Sequence, residues 1–272
     1  MSIAAFSSSR PMVVKVGGAI LDDHLARIQF LSRVAAAHRA RPMVLVHGGG
    51  AAVDRHLERI GVRTERIDGI RLTPPDLMPE IAGVLVGQVG TMLVADLRRR
   101  GVAAVGLRVG DDDGIIIAPL TADFDPGAVG TVAGGRAALL PSILAAGRTP
   151  VLASIGFLPD GDPVNINADD AAAGVAAALD AGALLMLTDV PGVLDARKRT
   201  IPELDAERMA SLIEEGTIHG GMIPKVRSAI ANANASGTPV VIAHWSDEDV
   251  LDDPFAARSA TTIRPTTTGV PG

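Results

Sequence analysis

The chain has no cysteine, few aromatic residues, no surplus of positive charge and no long apolar run. Without cysteine, disulfides, thiolate nucleophiles and thiolate-bound zinc all drop out. Aromatics make up 2% of a sequence that is 47% hydrophobic, so its core has to be packed from small aliphatic side chains at helix–sheet interfaces, which favours an α/β sandwich. A formal net charge of −6 with no clustered Lys or Arg argues against general affinity for nucleic acid. Met1 to Pro11 holds one short apolar stretch, Ile3 to Phe6, and no basic lead, unlike a secretory signal. No continuous apolar run reaches the ~18 residues of a membrane span, so a soluble cytoplasmic protein without a membrane partner is expected. No biased linker or internal repeat divides the 272 residues, which fits one large domain or two lobes sharing a sheet.

What is present is repeated βα punctuation. Met12–Val16 runs into Gly17-Gly18, and Met43–Val46 runs into Gly48-Gly49-Gly50, each followed by a segment of helical period. In Leu25–Ala37 the apolar face is Ile28, Leu31, Val34 and Ala35; in Ala51–Ile60 it is Val53, Leu57 and Ile60. Asp68-Gly69 between Glu65–Ile67 and Ile70–Leu72 predicts a two-residue hairpin turn. A long helix is predicted from Thr73 as N-cap and Pro74 as its first residue to about Arg100. Strands are expected at Val102–Gly106, Gly114–Ala118, Thr149–Ser154, Ala183–Leu187 and Pro239–Ile242. Helices are expected at Arg136–Ala146, Asp169–Leu179, Asp205–Glu214, Lys225–Ser236 and, with Ser246 as cap, Ser246–Phe255. Asp111-Asp112-Asp113 reads as a solvated turn; Val109, two places before it, breaks the calcium-loop spacing.

Four clusters could carry chemistry. Lys15 sits just before the glycine pair at a strand's carboxyl end, where open α/β sheets bind ligands; a phosphate site and a plain turn with a solvated lysine both fit. His47-Gly48-Gly49-Gly50 has more glycine than a simple turn needs, so that backbone N–H groups can approach an anion, or so that the chain can pack closely. It is neither a Walker loop nor a dinucleotide turn, since Val53 stands where the third glycine belongs. Asn165 and Asn167 point the same way, two apart along a strand end, and suit a polar ligand, while Asp169 is either a helix cap or a ligand-facing carboxylate. Gly220-Gly221-Met222-Ile223-Pro224-Lys225 enters a helix with a cation in its first turn, against the helix dipole; an anionic ligand would explain it, and a plain surface lysine fits as well.

Taken in order, Lys15-Val16-Gly17-Gly18, His47-Gly48-Gly49-Gly50, Asp68-Gly69-Ile70-Arg71-Leu72-Thr73, Asn165-Ile166-Asn167-Ala168-Asp169, Thr188-Asp189-Val190-Pro191-Gly192-Val193 and Gly221-Met222-Ile223-Pro224-Lys225 resemble the amino acid kinase family, in its branch acting on N-acetyl-L-glutamate. The resemblance covers about Met12 to Arg264. It implies a three-layer αβα sandwich around an open, mainly parallel sheet. It also implies an amino-acid-binding, dimerising lobe over 12–180 and a nucleotide-binding lobe over 181–265.

The activity implied is ATP-dependent phosphorylation of the γ-carboxylate of N-acetyl-L-glutamate in arginine biosynthesis. Lys15 and Lys225 would contact the transferring phosphoryl group and Asp169 would hold their ammonium groups. Gly49, Gly50, Arg71, Asn165 and Asn167 would bind the amino-acid substrate. Lys15, Gly17, Gly18, Thr188, Asp189, Met222 and Lys225 would serve the nucleotide, with Mg²⁺ carried by ATP and no protein metal site. Gly87-Gln88-Val89-Gly90 departs from relatives in the helix that often forms their dimer interface, and glycines there weaken a helix. Arginine-inhibited relatives carry a long extra N-terminal helix, whereas fourteen largely unpatterned residues precede Lys15, so an arginine-insensitive homodimer is expected.

Two other readings are separable. A sibling enzyme acting on aminoadipate or another glutamate analogue would use the same chemistry; if its substrate were carrier-bound, it would need a basic docking surface near residues 65–72, where Arg63, Arg66 and Arg71 occur. A non-catalytic sensor would be expected to lose the charged set, yet Lys15, Asp169 and Lys225 are all present.

Overall fold

The structure, a computed structural model, describes residues 10–189, 191–218 and 222–266, apart from the side chains at 19, 222, 224 and 225. The chain opens with β1 (Met12–Val16), α1 (Gly18–Asp22), α2 (His24–Ala37), β2 (Met43–His47), α3 (Gly50–Arg59) and the hairpin β3 (Arg66–Ile67) and β4 (Ile70–Arg71). A 25-residue helical rod, Pro75–Arg99, follows. It is made of a 3₁₀ turn, α4 (Met78–Ala82), a π segment over Gly83–Gly90 and α5 (Thr91–Arg99). Then come β5 (Ala104–Arg108), β6 (Ile115–Pro119), β7 (Val129–Gly135), α6 (Leu140–Ala145), β8 (Thr149–Ala153), β9 (Ile155–Phe157), β10 (Pro163–Ile166) and α7 (Ala168–Ala178). The last part holds β11 (Ala183–Thr188), β12 (Glu203–Leu204), α8 (Ala206–Glu214), α9 (Met222–Ser236), β13 (Val240–His244) and β14 (Ala260–Ile263).

Eight strands form one sheet in the order β12-β14-β13-β11-β1-β2-β8-β5. From β13 to β5 every pairing is parallel; β14 runs antiparallel to β13. These strands are Val- and Leu-rich runs buried on both faces, the pattern parallel sheets require. Met12, Val14 and Val16 join one core layer with α2, α3 and the rod, whereas Val13 joins the other with α7, α8 and α9. Strand alternation therefore puts Lys15 on the α7 side. Strands from both expected lobes share this sheet.

A second sheet, β6-β7-β10-β9, was not expected. It packs on α7, where Gly174 lies so close to Val132 that any side chain there would collide with it. β7 went unseen because Val129-Gly130-Thr131-Val132-Ala133-Gly134-Gly135 carries four residues with weak strand preference.

Several elements differ from expectation for local reasons. The rod is capped by Pro74, with Pro75 as its first residue. Thr73 is instead bridged to Gly127 and donates from Oγ1 to the Arg71 carbonyl at 2.9 Å. By length and composition the rod could cross a bilayer, but Ile81, Leu85, Leu93 and Leu97 are buried in the same core as the sheet. The helix expected from Arg136 is only Leu140–Ala145. The N–H groups of Leu139 and Leu140 at its start donate to Asp112, which also accepts from Gly114 and Ala138 and is 2% exposed. Asp112 is thus a buried cap, not part of a solvated turn.

No helix forms over 246–255: Asp247 accepts from Asp249 N and Ser259 N, and Asp253 accepts from Phe255 N, so side chains take the backbone donors that a helix would use. Ile60, expected on the buried face of α3, is 49% exposed. In α2 the buried set is Ala26, Phe30, Leu31, Val34 and Ala37, so Ile28 and Ala35 lie at its margin. The tail after Pro265 lies outside the described residues from 267 onward.

Candidate active site

Strands β1, β2, β8, β11 and β13 deliver their carboxyl ends to one crevice, with β1 central and the chain crossing to β2 on one side and β11 on the other. That reversal of direction is where open α/β sheets leave room for a ligand. Lys15 Nζ lies 2.8 Å from Asp169 Oδ1, an ion pair whose side chains are 19% and 31% exposed. The angle is not that of a hydrogen bond, and Asp169 Oδ1 has no hydrogen-bond donor among the described residues. Asp169 is not the cap of α7: Asn167 is, accepting from Asp169 N at 2.8 Å. Capping by Asn167 leaves the Asp169 carboxylate for the lysine. A Cβ at Gly17 would come within 2.9 Å of Lys15 Nζ, so the glycine keeps the ammonium's place open.

The sequence-predicted residues separate into two adjoining cavities. Lys15, Gly17, Gly18, Asp169, Thr188 and Asp189 line one of about 220 Å³. Gly49, Gly50, Arg71, Asn165 and Asn167 line another of about 130 Å³. Successive residues at the start of α7 join them, since Ala168 borders the second cavity and Asp169 the first. Met222 and Lys225 fall in the first turn of α9, but their side chains lie outside the described residues. Gly220, Gly221 and Val190 lie outside them too.

The smaller cavity is held by a dense set of contacts. Arg71 is 7% exposed; its Nη1 donates to Thr64 Oγ1 at 2.5 Å and pairs with Asp54 Oδ1 at 2.6 Å, and its Nη2 donates to the Gly50 carbonyl at 3.0 Å. Burial pushes the Asp54 carboxyl upward, but hydrogen bonds from Arg71 and Arg66 and their charges outweigh it and hold the group below the usual carboxylate range. Asn165 Nδ2 donates to Thr73 Oγ1 at 3.5 Å. A Cβ at Gly49 would meet Leu85 Cδ2 at 2.9 Å and Val89 Cγ2 at 3.1 Å, so the glycine lets the rod's π segment press against the loop.

Below the loop, buried His47 donates from Nδ1 to the Gly48 carbonyl at 2.9 Å, while its Nε2 is buried without a partner near Gly90. Burial outweighs that bond and lowers the His47 pKa to about 4. The ring is therefore neutral at pH 7 and holds the loop's first carbonyl.

Beside Asp169, burial followed by repulsion from the Asp169 charge raises Asp170 to about 6. Residues that the sequence did not single out also line the cavities: Met186, Ser228 and Ile242 in the larger, Ile81, Leu85 and Ser154 in the smaller. Arg66, named from the sequence only as part of a basic docking surface, also lines the smaller cavity, and the two-residue Asp68-Gly69 turn makes it the direct partner of Arg71.

A sequence profile described as the amino acid kinase family matches residues 10–244. The chain belongs to the amino acid kinase family. Its relatives include an acetylglutamate kinase of Pectobacterium atrosepticum, 38% identical over 248 residues that span 90% of this chain and 95% of that one. Among solved structures of this fold, smu.665 from Streptococcus mutans UA159 is similar at 33% identity and a TM-score of 0.73, covering 86% of this chain and 94% of that one. The carbamate kinase of Giardia shares the fold, with a TM-score of 0.62 at 19% identity over 95% of this chain and 100% of that one. As a member of the amino acid kinase family, the chain has its glycine loops and its Lys15–Asp169 pair at the carboxyl edge of the shared parallel sheet.

Proposed function

We propose that this chain transfers the γ-phosphoryl group of ATP to the γ-carboxylate of N-acetyl-L-glutamate, giving ADP and an acyl phosphate in arginine biosynthesis. One carboxylate oxygen attacks the γ-phosphorus as the bond to the ADP oxygen breaks. The acceptor is already ionised at neutral pH, so no general base is needed, and catalysis reduces to alignment and neutralisation of charge.

Residues of 12–180 hold the acceptor and residues of 181–265 contribute to nucleotide binding. Arg71 and Asn165 take the acceptor's α-carboxylate and amide end, Asn167 borders them, and Gly49 and Gly50 close on the reacting end. Lys15, with Gly17 and Gly18, faces the phosphoryl group; Thr188, Asp189 and Met222 lie on the nucleotide side. Asp169 orients Lys15 and would also orient Lys225; Ser228, three positions on from Lys225, borders the nucleotide cavity.

Among the described residues no group of three His, Asp or Glu side chains could hold an ion. Mg²⁺ would be carried on the ATP phosphates, where it neutralises charge. Use of ATP fits a cytoplasmic enzyme, and the free edge of β5 beside the rod suits a homodimer.

The observation that carries the reading is the Lys15–Asp169 pair at the junction of a glycine-lined cavity and an arginine-lined one. Magnesium-dependent ADP release is the test, with N-acetylglutamate, glutamate, aspartate and aminoadipate compared in the presence of hydroxylamine. Turnover and hydroxamate with N-acetylglutamate are expected. Turnover confined to aminoadipate or glutamate would make this a sibling kinase, and no turnover with any of the four would discard the kinase reading.

A further inference from the structure

In the kinase reading Arg71 takes the acceptor's α-carboxylate; we propose that Arg66 brings a second guanidinium to the same carboxylate, making a clamp, and that Asp54 is the positioning residue that holds both jaws. The clamp restricts the enzyme to substrates whose α-carboxylate is free, excluding those in which it is an amide or ester. The identity of the acceptor rests on the kinase reading above.

The hairpin register sets Arg66 directly opposite Arg71. Like charges facing each other across paired strands destabilise a hairpin, so this arrangement costs stability unless an anion lies between them. Both guanidiniums turn toward the same spot: a Cβ at Gly50 would lie 3.3 Å from Arg66 Nη2 and 3.9 Å from Arg71 Nη2. Asp54, one turn along α3 from Gly50, meets them with both oxygens, Oδ1 at 2.6 Å from Arg71 Nη1 and Oδ2 at 2.6 Å from Arg66 Nη2. A single carboxylate against two guanidiniums leaves the cluster with one positive charge.

The two jaws differ. Arg71 is buried and fixed by Thr64, Gly50 and Asp54 together, whereas the Arg66 side chain is 41% exposed and, among the described residues, hydrogen-bonds to Asp54 alone. Each guanidinium has five N–H donors in a rigid fork, so both keep donors beyond those given to Asp54. Both border the acceptor cavity, which the aliphatic Ile81 and Leu85 also line. Surplus positive charge and spare forked donors in a cavity otherwise lined partly by hydrocarbon suit a carboxylate that is read through its charge. An amide at that position would keep the shape and lose the charge, leaving the second guanidinium unneutralised.

The experiment compares N-acetylglutamate with its α-amide on wild type, Arg66→Gln, Arg66→Lys, Asp54→Asn and Asp54→Glu. Dissociation constants come from calorimetry, and kcat and KM from hydroxamate release. Wild type should favour the free acid by about 100-fold or more, the size expected of charge-assisted bidentate recognition. Arg66→Gln should weaken the acid by about 10- to 100-fold with kcat within about 3-fold, leave the amide unchanged, and be partly rescued by Arg66→Lys. Asp54→Asn should raise KM for the acid about 10-fold, with Asp54→Glu recovering part of it.

Equal weakening of acid and amide by Arg66→Gln would mean that the arginine only braces the hairpin, and an unchanged acid-to-amide ratio would overturn the clamp. Wild-type turnover of N-acetylglutamate bears on the kinase reading alone. The ratio of the two dissociation constants judges the clamp whether or not turnover occurs.

Discussion

The acceptor cavity and the nucleotide cavity share the same sheet edge but are held in place by different means. On the acceptor side, Arg71 is tied by three partners, Asn167 is committed to the α7 cap, and Gly49 is pressed by Leu85 and Val89. On the nucleotide side the wall is glycine backbone and aliphatic side chains from β11 and β13, with Lys15 and Asp169 partly exposed. In the proposed function the first is preorganised to read shape and charge on a small molecule. The second would supply charge to a phosphoryl group whose metal comes with the nucleotide, which needs little shape recognition. Substitutions on the two sides should therefore fail in different ways.

The largest effect is expected at Lys15. Lys15→Ala should reduce kcat by about 10³-fold with KM for N-acetylglutamate changed less than about 3-fold, because removing one preorganised charge costs roughly 3–4 kcal/mol in the transition state. Steady-state hydroxamate formation measures this, and a variant above a tenth of wild-type kcat would remove Lys15 from the chemistry. On the opposite wall, Arg71→Lys should do the reverse. A lysine cannot reproduce a forked contact, so KM should rise by about 10- to 100-fold, or roughly 1.4–3 kcal/mol, with kcat nearly kept. A fall in kcat alone would erase the distinction between the cavities.

Gly49→Ala tests how firmly the rod presses on the loop. The added methyl meets Leu85 and Val89 at 2.9 and 3.1 Å, and crowding of that kind typically costs about 1–3 kcal/mol. A fall in Tm and a raised KM are expected, whereas Gly17→Ala, where the neighbour is the mobile end of Lys15, should leave Tm almost unchanged and act on kcat.

The smallest effect concerns pH. Asp170 is raised to about 6 by burial and then by Asp169; a group raised on folding stabilises fully below its unfolded value and loses that contribution as pH rises through about 6. Asp170→Asn should thus increase stability by roughly 1–2 kcal/mol at pH 7.5 and by little at pH 4. His47 works in the opposite direction: lowered to about 4, it withdraws stability as pH falls from about 6.5 toward 4. Thermal melts across that range separate the two, and an Asp170→Asn gain independent of pH would mean that packing, not charge, is responsible.

Much of this was legible beforehand because it is local. The β1 and β2 strands with their glycine turns, the Asp68-Gly69 hairpin and the α7 and α8 helices follow from hydrophobic period and turn chemistry within a few residues. Lys15, the glycine loops and the Asn165–Asp169 cluster could be named as candidates by the same means, whereas Arg71, Thr188 and Asp189 came only from the family resemblance. Asp112 was misread because three of its four donors, Ala138, Leu139 and Leu140, lie far along the chain, and only Gly114 is near in sequence. Residues 246–255 were misread because a run of acidic side chains offers the backbone turn bonds as readily as a helix start.

By itself the sequence determined which segments become parallel strands and which turns must be glycine, since periodicity and backbone freedom are properties of neighbouring residues. Only the tertiary structure decided that Asn167, not Asp169, caps α7, that Asp169 is thereby left for Lys15, and that Asp54 stands between two arginines. The cap is a local choice between two side chains that spacing leaves open, whereas the two charge pairings join residues well apart in the chain, and pairwise electrostatics at that range has no counterpart in sequence spacing.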